Sequence, residues 1–154
     1  MKVGPPLSAE NGELAKIMGE VKAHEPTVNK KTILVVDDDP VVLSFTHELL
    51  QEGGHYVLSA RNGAEALRLS QDHPGDIDLL LTDFQMPGMS GIDLATEITL
   101  DRPAIKVLMM SGFAGGMLVL NEGWHFLAKP FVSSQLRSLV TGLLFPDKSR
   151  FRAD

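Results

Sequence analysis

Three acids in a row, Asp37, Asp38 and Asp39, follow the apolar run Ile33–Val36. A second apolar run, Leu79–Leu81, passes through Thr82 into Asp83. A third, Val107–Met110, leads into Ser111, and "FLA" leads into Lys129. Carboxylates held side by side repel one another, and a shared cation relieves that repulsion. Oxygen ligands with no histidine or cysteine among them make a hard-cation site of the kind that suits Mg2+. If the segments converge, Asp37, Asp38, Asp83, Ser111 and Lys129 bring three carboxylates, one hydroxyl and one ammonium to one place.

The elements that must position these groups are legible in the pattern. Ile33–Val36 predicts a strand from its β-branching and unbroken apolar character. Pro40 suits a first helical turn, with Asp38 or Asp39 as cap, and Val42, Phe45 and Leu49 line the expected inner face. Gly53 and Gly54 end that helix. Tyr56–Ala60 predicts a second strand, "NGAEALRLSQ" a second helix and Ile77–Thr82 a third strand. After the loop "MPGMSG" come a helix at Gly91–Leu100, a strand at Ile105–Met110, a short strand at His125–Ala128 and a last helix at Ser133–Leu144. Strands too apolar to face water on either side, alternating with helices, predict a doubly wound α/β fold: a five-stranded parallel sheet with helices on both faces. Ligands of such sheets bind beyond the carboxyl ends of the strands, where all five polar groups stand.

Bulk properties narrow the function classes. The chain has 154 residues, a net charge of −6, a pI near 5.3 and no cysteine. Without a basic face it is not expected to bind nucleic acid. No apolar run approaches the ~20 residues of a membrane span, and the first residues lack the apolar core of a secretory signal. The expected setting is cytoplasmic, with no disulfide or thiolate metal site. Residues 1–30 read as an extension carrying a short amphipathic helix, with Leu14, Ile17, Met18 and Val21 on one stripe that packs on its own domain or pairs weakly with a second copy. Residues 31–145 read as the main domain, and 146–154 as a tail.

Four ordered pieces, "VVDDDP", "LLLTDFQMPGMSG", "MMSG" and "FLAKPF", resemble the receiver domain of two-component response regulators, either stand-alone or attached to a hybrid kinase. The resemblance runs from about Thr32 to Leu144. It implies a flavodoxin-like strand order 2-1-3-4-5 and a phosphoaccepting role, with Asp83 taking a phosphoryl group from the phosphohistidine of a histidine kinase or phosphotransfer protein. It implies Mg2+ on Asp38 and Asp83 and on the backbone carbonyl of Gln85, with Asp37 nearby through water. Lys129 pairs with phosphoryl oxygens, Ser111 hydrogen-bonds the aspartyl phosphate, and Phe126 takes an aromatic switch position. Activity beyond self-phosphorylation and self-dephosphorylation is not expected, and the downstream partner is a protein the sequence does not name.

Some features depart from the family pattern. The stretch between Ser111 and Lys129 is about a turn short and carries Gly112, Gly115, Gly116 and Gly123, so the fourth helix, between the fourth and fifth strands, is expected to be short or irregular. Phe113 is expected to shield the acyl phosphate from water. Competing readings are a Mg2+-dependent phosphohydrolase with an Asp nucleophile and a scaffold that is never phosphorylated. The hydrolase wants an acid two residues past Asp83, where Gln85 stands, and the scaffold has no need of all five polar groups.

Overall fold

Along β1, Thr32–Val36, successive side chains enter opposite cores. Ile33 and Val35 go to one, Leu34 and Val36 to the other, and all four are completely buried. That two-sided burial is what an unbroken apolar strand in the middle of a parallel sheet requires. The computed structural model describes residues 30–112 and 123–146 of the chain. All its elements fall within the unit Lys31–Asp154. After β1 come α1 (Pro40–Glu52), β2 (Tyr56–Ala60), α2 (Gly63–Asp72), β3 (Leu79–Asp83), α3 (Gly91–Asp101), β4 (Lys106–Ser111), β5 (Trp124–Ala128) and α4 (Ser133–Leu144). The five strands are parallel in the order β2-β1-β3-β4-β5, as the sequence led us to expect.

On one face, Ile33, Val35, Leu79, Leu81, Leu108, Met110 and Leu127 meet Leu49 and Leu50 of α1 and Leu136, Val140 and Leu144 of α4. On the other, Leu34, Val36, Leu80, Val107 and Met109 meet Ala66 of α2 and Leu94, Ala95 and Ile98 of α3. Each buried leucine or isoleucine contributes roughly 1.5–3 kcal/mol, so slipping any strand by one residue would exchange the contents of two cores. The register follows: Val36 lies opposite Ala60 and Thr82, Asp83 opposite Met110, and Ser111 opposite Ala128. The carboxyl ends of the three middle strands and β5 are therefore flush.

The helix α1 differs from expectation in one respect. Of the three residues expected on its inner face only Leu49 is in the core: Phe45 is 45% exposed and Val42 lines a surface groove with it, while Thr46, Leu49 and Leu50 are buried and Leu43 packs beside them. Apolar residues occupy most of this helix's circumference, so periodicity alone does not choose the buried side, and packing against the sheet does. The strands also begin and end within two residues of the sequence expectation. The expected N-terminal helix, the fourth helix between β4 and β5, Phe113 and the tail beyond 146 lie outside the described residues.

Candidate functional site

The site is built as a continuation of the sheet's own hydrogen bonding. One residue beyond β1, Asp37 donates its backbone N–H to the Ala60 carbonyl at 3.2 Å. Past β3, Phe84 donates to the Met110 carbonyl at 2.7 Å, and past β5, Lys129 donates to the Ser111 carbonyl at 2.7 Å. The residues that carry the chemistry are thus fixed by the ladder before their side chains do anything.

Asp37 is completely buried. Its Oδ1 accepts the Asp39 N–H at 2.9 Å, closing the turn that carries the chain from β1 into α1. Its Oδ2 accepts the Lys129 ammonium at 2.9 Å. Asp38 is exposed at the rim. Asp39 caps α1, accepting the Val41 N–H at 2.9 Å, with Pro40 at the first helical position. The three consecutive acids therefore split into one that holds the lysine, one at the rim and one that starts a helix.

Asp83, the last residue of β3, is 8% exposed. Its Oδ1 accepts from Lys129 Nζ at 3.1 Å and from its neighbour Phe84 N–H at 3.1 Å. The loop that follows turns through Gly88 at φ +85°. It returns so closely that a Cβ at Gly91 would collide with the Asp83 carbonyl oxygen. A side chain there would push the loop off the strand end, so glycine is required. Ser111 ends β4 almost fully buried, and Gln85 is exposed in the loop two residues beyond Asp83. Phe126 is half-buried on β5 and packs against the core on the α2–α3 face.

Oxygens of Asp37, Asp38 and Asp83 lie within 4.8 Å of one another. That spacing and an all-oxygen donor set fit a single hard divalent cation, coordinated at about 2 Å. The electrostatics agree. Burial, and then the Asp37 carboxylate, push the Asp83 carboxyl up to about 6 in the metal-free protein, against the opposing pull of Lys129. Burial opposes the charge on Lys129, but hydrogen bonds and attraction from Asp37 and Asp83 outweigh it and hold the ammonium above its ordinary pKa. The lysine is the internal cation of an otherwise acidic cluster.

What the sequence reading missed is the apolar margin of this site. Phe45 is exposed, and its ring lies 6.4 Å from that of Phe131. Val42, Phe45, Gly112, Lys129, Pro130 and Phe131 line a groove of about 470 Å³. The only signal in the sequence was the excess of apolar residues around α1.

A family model described as the response regulator receiver domain matches residues 33–141. The response regulator receiver protein CpdR of Brucella abortus is 37% identical over 116 residues, covering 71% of this chain and 91% of CpdR. The sensor kinase CckA of the same organism is 33% identical over 117 residues, which make up 73% of this chain and 12% of the kinase. Among solved structures, the receiver domain of hybrid histidine kinase CckA aligns with a TM-score of 0.66 at 34% identity, over 73% of this chain and 98% of that domain. TrrA of Thermotoga maritima with Mg(2+)-BeF gives the same score at 33% identity, over 73% of this chain and 98% of TrrA. A histidine kinase ThkA–TrrA complex aligns at 0.64, with 33% identity, over 74% of this chain and 98% of the matched one.

Proposed function

The chain belongs to the response regulator receiver family, and from that premise we propose that Asp83 accepts a phosphoryl group from a phosphohistidine on a histidine kinase or phosphotransfer protein. The observation that carries the reading is the bridge made by Lys129, within 3.1 Å of both Asp37 and Asp83, beside a three-carboxylate cluster. A carboxylate oxygen of Asp83 attacks phosphorus, the P–N bond to the imidazole breaks, and the departing histidine keeps the bond's electron pair. The product is an acyl phosphate. The transition state is loose and demands positioning and neutralised charge more than bond chemistry. Positioning comes from the β3 ladder and the Phe84 N–H. Asp38, Asp83 and the Gln85 backbone carbonyl would hold Mg2+, with Asp37 close by, and the ion supplies neutralisation of the charge on the transferring group. Lys129 exchanges its bond to Asp83 for one to a phosphoryl oxygen while keeping Asp37, so its direction is preserved through the step.

Phosphorylation exchanges the single carboxylate charge of Asp83 for a phosphoryl group carrying roughly 1.5–2 negative charges and strong acceptor oxygens, at a rim already acidic. The Ser111 hydroxyl is the nearby donor able to follow that charge, and Phe126, one strand over, is the aromatic that responds to the movement. A protein donor is supported by the apolar groove of Val42, Phe45, Pro130 and Phe131, which borders the lysine and suits an amphipathic helix presenting its histidine. The receiver module is taken as residues 31–145. Among the described residues no helix is long and apolar enough to cross a membrane.

Beryllofluoride with Mg2+, a mimic of the aspartyl phosphate, tests the site directly. Backbone NMR shifts around Ser111 and Lys129 are expected to move in wild type and to stay fixed in Asp83→Asn. Unchanged shifts in wild type would refute the proposal. Phosphodonor labelling should stop at one phosphate per chain, whereas sustained turnover of small phosphate esters would favour a hydrolase.

A further inference from the structure

At the opposite, amino end of the sheet, three side chains from separate elements meet where the chain enters β1 and leaves α4. The Phe145 ring, one residue past α4, has Lys31 Nζ 5.4 Å from its centroid. The His55 imidazole stacks on the same ring, at 6.3 Å between centroids and an interplanar angle of 22°. Phe145 is held in turn by its backbone N–H, which donates to the Thr141 carbonyl at 2.9 Å. His55 stands just after α1, where its N–H donates to the Leu50 carbonyl. Its Nδ1 is buried and has no hydrogen-bond partner.

We propose that His55 is a proton-sensitive latch that fastens the end of α4 to the start of β1 through Phe145, closed when the imidazole is neutral and released when it takes a proton. The neutral ring offers Phe145 a flat apolar surface. The protonated ring carries an N–H at Nδ1 where the structure provides no acceptor, and a buried unpaired donor is costly. It also places a second cation beside Lys31. The charged groups facing the imidazole are Lys31 at the start of β1 and Asp78 just before β3. The end of α1 presents the Leu50 carbonyl, and the end of α4 presents Phe145. Asp78 favours the charged ring, but its Oδ2 already accepts the Thr32 N–H at 2.9 Å. Burial is the larger influence, Lys31 adds to it, and together they lower the His55 pKa. Swinging the imidazole into water relieves the charge and withdraws the surface on which Phe145 rests. The latch lies at the end of the sheet opposite the phosphoacceptor rim.

An NMR titration of the full chain from neutral to mildly acidic pH is the test. The His55 imidazole is expected to titrate below its ordinary 6.5. The Phe145 ring resonances should shift with the same midpoint, and ring-to-ring Overhauser contacts should fade together with them. In His55→Phe, which keeps a stack but cannot take a proton, the Phe145 resonances should hold steady across the range, and in Lys31→Gln the wild-type midpoint should rise. Overhauser contacts that persist in wild type after His55 is charged overturn the proposal. So does a His55→Phe variant whose Phe145 signals move as before.

Discussion

Two cations at opposite ends of the sheet are used in opposite ways. At the amino end, Arg102 closes the α2–β3 corner with four hydrogen bonds. Its guanidinium donates to the Ser70 hydroxyl, the Ser70 carbonyl, the Gly75 carbonyl and the His73 carbonyl, at 2.8–3.1 Å. One cation there absorbs several orphan oxygens around a helix end. At the carboxyl end, one cation, Lys129, is shared by two carboxylates with a third alongside, and burial raises the Asp83 pKa. The first cation serves stability. The carboxyl end is left short of positive charge, a deficit that a bound divalent cation would relieve.

Variants that exchange the fortunes of the two ends would break this contrast. The largest effect is expected from Lys129→Ala, which removes the cation shared by Asp37 and Asp83. Phosphoryl incorporation, followed by intact-protein mass spectrometry, should slow roughly a hundredfold, about 3 kcal/mol of barrier by analogy with losing one anion-stabilising donor. Its stability should fall as well, because the buried Asp37 carboxylate loses its partner. Arg102→Ala should separate the two readouts, lowering the urea unfolding free energy by about 2–3 kcal/mol while leaving the rate of phosphoryl incorporation near wild type. A comparable loss of rate in Arg102→Ala would mean that the ends are not separable.

The charge deficit itself can be weighed with Asp83→Asn in metal-free protein. The Asp83 pKa is raised in the fold from 3.8 to about 6. The folded state therefore holds its proton more tightly than the unfolded chain does, and that advantage is complete below the unfolded value. It disappears as pH rises through about 6, leaving wild type less stable at neutral pH by about 2–3 kcal/mol. Asp83→Asn should be more stable than wild type at neutral pH and should lose most of that advantage near pH ~4. Denaturant titrations at the two pH values, with chelator present, decide it. The smallest change is expected from Asp39→Ala. As the cap of α1, Asp39 should be worth about 1 kcal/mol of stability and have no direct part in metal binding, unlike its neighbours Asp37 and Asp38.

The sequence made the carboxyl rim legible because strand ends are written twice, once by the apolar run and again by the polar residue that breaks it. Ile33–Val36 before Asp37 and Leu79–Thr82 before Asp83 are of this kind. Parallel pairing then brings those breaks together whatever the exact strand bounds, so reading Ile77–Thr82 instead of Leu79–Asp83 did no harm. The amino end was illegible for the complementary reason. Arg102 acts on carbonyls, which every residue has, and its partners at 70, 73 and 75 carry no shared pattern. The outward turn of Phe45 was also hidden, because α1 has apolar residues on most sides and only contact with β1, β2 and α4 decides which of them water sees. His55 had no periodic neighbours to mark it.

The backbone bonds from Asp37, Phe84 and Lys129 to the adjacent strands carry one more implication. They anchor the main chain at and beside Asp83 through the ladder itself. Its carboxylate can therefore be swapped for an amide with the Cα expected to stay where it is. A dead Asp83→Asn variant can then be read as a statement about reactivity, not as a report of collapse, whereas Asp37, whose carboxylate also closes the turn into α1, allows no such separation.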